Sequence, residues 1–355
     1  MRIRIFLGTG GVGKTSVSAA SALGAALEGK RCLVLTIDPA LRLRTALGLD
    51  AAGLEQQVPL ERLSASGELW AALLDVRASL DRAVLRYAES QEQAQIILNH
   101  PIYQVLIESL AGMQELMAME RIDQALGDGY DDIFIDTAPS RHAFEFLDKP
   151  EFFAQLVSFP LVRLVGRTYK WWERSRLGRL GRMSFELYSR VEEMLGATLV
   201  RQVLDFFSVF RKIAEGYGDR ARRTLALLHD PQTTGFTIVT TPFKARRDGE
   251  FFVEELRKRN FPAESMVVNR LWPPLQAALP PTLSPLGRNV AGWYQSVSDS
   301  HRKIWETLSA EFRPRIPRLI PLPELSKDVD GLPALLQIAR ELSQAEAAPD
   351  MAQSG

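Results

Sequence analysis

Gly8-Thr9-Gly10-Gly11-Val12-Gly13-Lys14-Thr15 has the G-x-x-x-x-G-K-[ST] spacing of a phosphate-binding loop. The chemistry needs these residue types in this order. Glycines let backbone N–H groups converge on phosphate oxygens, Lys14 brings a point charge to the β and γ phosphates, and the Thr15 hydroxyl ligates Mg²⁺. From Ser16 the chain reads as a helix, whose N-terminus favours the same anion. Two carboxylates could complete the chemistry. Asp136 closes the apolar run Ile133-Phe134-Ile135, where the end of a parallel strand would place it in the Mg²⁺ shell; the alternative is a capping or turn aspartate. Asp38 follows Cys32–Ile37 and would orient or activate an attacking water, or merely form an Asp-Pro turn with Pro39. Spacing leaves both readings of Asp38 open.

These residues need a sheet to hold them. Residues 2–7 read as a strand entering a buried sheet, Ser16–Leu27 as a helix of small residues pressed on it, and 32–37 as a second buried strand. Strand, helix and strand within 37 residues make a βαβ unit, so the sheet is expected to be mostly parallel with right-handed crossovers. Further strands are expected at 132–135, 236–240, 265–268 and 317–320, and helices over 78–126, 151–230, 246–259, 289–311 and 330–345. The fold class is therefore α/β: a mostly parallel P-loop NTPase sheet flanked by helices. The 151–230 block is too long for a simple crossover and reads as a helical insertion within one domain over 1–345, with 346–355 a disordered tail.

Taken together, the phosphate loop, Thr36-Ile37-Asp38-Pro39-Ala40 and Asp136-Thr137-Ala138-Pro139-Ser140-Arg141-His142 resemble the arsenite-pump and tail-anchored-protein-targeting ATPases. Val267-Val268-Asn269-Arg270 and Ile320-Pro321-Leu322-Pro323-Glu324 agree in order and spacing, so the resemblance covers roughly residues 1–345. It implies a dimeric switch driven by Mg²⁺ and ATP. Within it Lys14 and Thr15 hold phosphate and metal, Asp38 positions water, Asp136 opens a second switch, Asn269 reads adenine, and the Pro321–Pro323 loop flanks the base. In the targeting branch a helical insertion forms a groove for a client's transmembrane segment.

Three departures bear on that reading. The family usually carries a lysine where this chain has Thr9, and that lysine reaches the partner subunit's phosphates as an arginine finger would. A heterodimer with a paralogue that keeps the lysine would supply it, or Arg141 or Arg42 would substitute. The Cys-x-x-Cys through which targeting factors share zinc is absent. With one cysteine, Cys32, the chain builds no three-sulfur metalloid site and no cysteine zinc site, which weighs against arsenic efflux.

The segment 151–190 is rich in aromatic and aliphatic residues, and seven basic residues within 160–182 face a single acid, Glu173. Basic side chains beside aromatics suit an anionic membrane surface or a hydrophobic client helix, while an ordinary amphipathic helix pair reads the same way. Composition sets outer bounds. Lys+Arg 43 balances Asp+Glu 43, which argues against nucleic acid as a partner. No run of 18 apolar residues suggests a spanning helix, and the expected location is the cytoplasm, peripheral at a membrane if the insert contacts one. The expected function is a Mg-ATP-hydrolysing dimeric switch, as homodimer or heterodimer with a paralogue, that captures and releases a hydrophobic or tail-anchored protein client. The alternative is a nucleotide-binding regulatory subunit that completes a paralogous ATPase.

Overall fold

The computed structural model describes residues 1–37, 42–49, 55–63, 65–100, 103, 113–137, 144, 220, 222–275, 284–326 and 328–347. Among these, no helix is long and apolar enough to cross a membrane.

Eight strands form one sheet in the order β3-β4-β2-β5-β1-β6-β7-β8. They are β1 (Arg2–Leu7), β2 (Arg31–Thr36), β3 (Glu55–Gln57), β4 (Glu68–Leu73), β5 (Asp132–Asp136), β6 (Thr234–Thr240), β7 (Ala263–Leu271) and β8 (Arg318–Pro323). Every pairing is parallel except β3 on β4. β1 lies centrally, with Ile5 opposite Ile135 on one side and Phe236 on the other. Its near-continuous apolar run follows from that position, since a strand covered on both faces has no reason to alternate. The parallel arrangement brings the carboxyl ends of β1, β2, β5, β6, β7 and β8 to one edge. In open α/β sheets that edge is where ligands bind.

Helix α1 (Lys14–Leu27) follows the loop after β1, and its small residues set its depth. Ala19, Ala20, Ala22, Leu23, Ala25 and Ala26 are buried, against the sheet and against Leu335, Ile338, Ala339 and Leu342 of helix Gly331–Ala347. Sandwiched between two layers, α1 is fixed in direction. Its N-terminus therefore has a defined position behind Gly13.

The chain divides into two compact units, one of residues 1–74, 124–143 and 226–355, the other of 75–123 and 144–225. The sheet, α1 and the phosphate loop belong to the first. The block 78–126, expected to be helical, is helical in Val76–Tyr87, Gln91–Leu98 and Met113–Gly127. Side-chain caps start the first two: Asp75 Oδ1 accepts from the Ala78 N–H at 2.9 Å and Ser90 Oγ from the Gln93 N–H at 3.1 Å. Buried Glu120 accepts from the Tyr87 hydroxyl at 2.7 Å and from Arg220 Nε at 3.3 Å, and the guanidinium lies 3.6 Å from the Tyr87 ring centroid. Burial, then the Glu120 hydrogen bond, pushes the Tyr87 phenol up to about 12. Most of the expected 151–230 insertion lies outside the described residues, as do its aromatic and basic run at 151–190 and the 348–355 part of the expected tail.

Other expected elements appear with shifted ends. β2 starts at Arg31, β6 at Thr234 and β7 at Ala263, and the expected strand 317–320 is Arg318–Pro323. That last shift places Pro321 and Pro323 in β8, an edge strand, where a missing N–H is tolerated. β3 and β4 were not expected.

Candidate functional site

The loop between β1 and α1 is shaped by close approaches that only glycine permits. A Cβ on Gly8 would stand 2.3 Å from the Val239 carbonyl oxygen of β6. Gly13 has φ +93°, and a Cβ there would stand 2.3 Å from Asn269 Nδ2. Gly13 is also the N-cap of α1 and brings no capping side chain, so the N–H groups of the first turn face the loop without a side-chain acceptor at the cap. A helix N-terminus presented in this way favours an anion.

Around this turn the side chains are ordered by hydrogen bonds. Thr15 Oγ1 donates to Asp136 Oδ2 at 2.6 Å, and Thr36 Oγ1 at the end of β2 donates to the same oxygen at 3.1 Å. Asp136 is fully buried at the end of β5. Thr137 Oγ1, the next residue, donates to the Phe6 carbonyl at 2.7 Å and ties β5 to β1. Lys14 is 6% exposed and its Nζ donates to the Thr9 carbonyl at 3.2 Å, so the ammonium lies back along the loop. Val12 is buried, and its carbonyl accepts from Asn269 Nδ2 at 2.9 Å; Asn269 Oδ1 in turn accepts from the Arg270 N–H at 2.9 Å. Thus Asn269 sits against the loop itself.

Of the sequence-derived site residues, Gly8 through Thr15, Ser16, Asp136 and Asn269 gather at this edge of the sheet. Pro321 and Pro323 lie on β8, opposite Val268 and Leu271 of β7. Asp38 and Arg141, and the side chain of Arg42, lie outside the described residues. Sequence reasoning missed Thr36, Asp248 and Lys244. Asp248, 1% exposed in the first turn of helix Ala245–Lys258, accepts from Thr9 Oγ1 at 2.6 Å. Lys244, at the N-cap of that helix, donates to the Gly10 carbonyl at 3.2 Å. The available signal was positional: Lys244 follows the end of β6, a strand adjoining β1.

The donor chemistry fits a nucleotide triphosphate and a hard divalent cation. A threonine hydroxyl and a carboxylate 2.6 Å apart offer oxygen ligands of the kind Mg²⁺ takes alongside phosphate and water. Among the described residues no group of three or more His, Cys, Asp or Glu could hold a metal by itself. Cys32 is buried within β2, and burial, with Asp132 adding to it, pushes its thiol up to about 12. Among metal ligands it is therefore a poor one.

A mostly parallel sheet with a phosphate loop after its central first strand defines the class: an α/β P-loop nucleotide-binding fold. The particular family follows from sequence comparison. The profile of the family described as "Anion-transporting ATPase" matches residues 1–344, and the chain belongs to that family. A protein of Prosthecochloris vibrioformis named for an arsenical pump-driving ATPase is 33% identical over 155 residues, 42% of this chain and 36% of that one. The ATPase GET3 of Kluyveromyces lactis is 25% identical over 280 residues, 74% of this chain and 70% of its own length. ATPase ASNA1 homolog 1 of Paramecium tetraurelia is 25% identical over 269 residues, again 74% of this chain. The match to the arsenical-pump relatives spans about a third of their length.

Proposed function

We propose that this chain binds Mg-ATP, hydrolyses it by in-line attack of water, and uses the cycle to change the shape of a dimer. The observation that carries the reading is the Thr15–Asp136 pair at the head of α1, beside a loop whose Thr9 carbonyl accepts from the Lys14 ammonium. Lys14 and the first-turn N–H groups of α1 would hold the phosphates, Thr15 and Asp136 the Mg²⁺, and Asp38 the attacking water. The metal, when bound, would neutralise charge developing on the phosphate oxygens; the protein's part is positioning and electrostatics. Asn269, already fixed on Val12, and the Pro321–Pro323 segment would border the adenine. The relatives' ATPase names support this reading of the chemistry.

The dimer, as homodimer or with a paralogue, and a cytoplasmic location belong to the same proposal. So does a hydrophobic or tail-anchored client, or a membrane surface, engaged through 151–190. Arsenite is a poor cargo for this chain, because its one thiol is buried and held protonated.

The test is ATP turnover by the purified full chain with Mg²⁺, with Lys14→Ala and Asp38→Asn as controls. Turnover by the wild type that both variants lose supports a self-sufficient ATPase. ATP binding without turnover would refute it in favour of a regulatory subunit, and addition of a paralogue would then be needed to restore hydrolysis.

A further inference from the structure

Resting on the ATP-binding reading above, we infer that Lys244 supplies to the triphosphate the second cation that Thr9 does not. Position 9 carries a hydroxyl, and that hydroxyl is committed to Asp248 Oδ2 at 2.6 Å. The same helix turn that takes it also delivers an ammonium: Lys244 Nζ lies 3.2 Å from the Gly10 carbonyl. Lys14 Nζ lies 3.2 Å from the carbonyl of Thr9. Two ammonium groups therefore sit on consecutive carbonyls of the phosphate loop, one from α1 and one from the N-cap of helix Ala245–Lys258.

Charge distinguishes Lys244 from its basic neighbours. Arg246 Nε is 3.4 Å from Glu311 and Arg247 Nε is 3.6 Å from Asp248, so each faces a carboxylate. Among the described residues no carboxylate lies within 4.0 Å of the Lys244 ammonium, and its one hydrogen bond goes to a neutral carbonyl. An ammonium has three donors, so two remain for an anion. Lys244 is half-buried, and its four-carbon stem has the rotatable bonds that would carry the ammonium from Gly10 to a phosphate oxygen. Its root is firm: the Asp248 N–H donates to the Lys244 carbonyl at 2.9 Å in the first turn of the helix. A lysine presented from this turn reaches the loop without having to leave Asp248, as one at position 9 would.

The experiment measures binding of ATPγS, ADP and AMP with Mg²⁺ to the full-length wild type, Lys244→Gln and Lys244→Arg by calorimetry. Loss of one charged contact is worth about tenfold in affinity. Lys244→Gln is expected to weaken ATPγS about tenfold and ADP less, with AMP within twofold, and Lys244→Arg to stay near wild type. Unchanged ATPγS affinity in Lys244→Gln would overturn the inference. An equal loss for AMP would also overturn it, by showing a structural role. On the wild type itself, mass spectrometry after acetic anhydride treatment should show ATPγS protecting Lys244 more than AMP does; equal reactivity counts against the inference. Wild type that fails to bind ATPγS at all removes the ATPase reading and this inference together.

Discussion

Gly13→Ala is the sharpest test of how the phosphate loop is held. Two costs can be worked from the structure. The residue has φ +93°, and moving a Cβ into the left-handed region costs about 1–2 kcal/mol. The new methyl would stand 2.3 Å from Asn269 Nδ2, inside contact distance, so the amide must swing away. That breaks its bonds to the Val12 carbonyl and the Arg270 N–H, each worth about 1 kcal/mol net. The total is about 3–4 kcal/mol, or a thermal midpoint lower by about 6–16 °C for a unit of this size. Asn269→Ala alone should cost about 2 kcal/mol, from the same two hydrogen bonds. With the amide already gone, Gly13→Ala should then cost only the backbone strain. A double-mutant cycle followed by tryptophan fluorescence should give a coupling of about 2 kcal/mol. If Gly13→Ala costs the same in both backgrounds, Asn269 does not brace the loop and the reasoning fails.

Three further outcomes follow from burial and charge. Burial lowers the His301 pKa from 6.5, and its Nδ1 accepts from the Trp272 N–H at 3.0 Å. The unfolded chain therefore binds the proton more readily, so this residue's contribution is intact above pH 6.5 and is lost as pH falls below it. Denaturation midpoints at pH 7.5 and 5.5 should differ less in His301→Gln than in wild type; an unaltered difference refutes the assignment. Cys32, with its thiol pushed up to about 12, should resist alkylation in the folded protein at pH 8 and react on unfolding, and fast native labelling would contradict its burial. Leu23→Ala, between α1, the sheet and helix Gly331–Ala347, should cost about 2–5 kcal/mol in a denaturant titration; a loss under 1 kcal/mol would mean that the layer repacks around the cavity.

What could be read from sequence divides along physical lines. β1, β2, β5, β6 and β7 are legible because buried parallel strands are runs of Val, Ile, Leu and Phe. β4, Glu-Leu-Trp-Ala-Ala-Leu, is not: alanine and leucine favour helix, and only its pairing along β2 makes it a strand. β3 is three polar residues on the edge and carries no pattern at all. Within the helical block 78–126 the cap at Ser90 starts a new helix, but a single capping residue is a weaker signal than apolar spacing. At the site, the loop and Asp136 are legible by type and spacing, and Asn269 only through the family resemblance. The Thr9–Asp248 bond joins positions 239 apart, and no local pattern encodes it.

That long-range bond changes what the threonine at position 9 means. Read alone, Thr9 is a loss: one charge fewer on the phosphate loop. In the fold, three side chains from beyond residue 240 close on the loop: Asn269 on the Val12 carbonyl, Asp248 on the Thr9 hydroxyl and Lys244 on the Gly10 carbonyl. Each anchors to a different residue of Gly8–Gly13, and two come from one helix turn. A change at the loop that broke the Thr9–Asp248 bond would therefore act on the same turn that holds Lys244. If Lys244 serves the triphosphate as inferred above, loop state and cation delivery would be joined through that turn. Removing Asp248 should thus disturb triphosphate binding as well as the loop, though its carboxylate would itself repel phosphate.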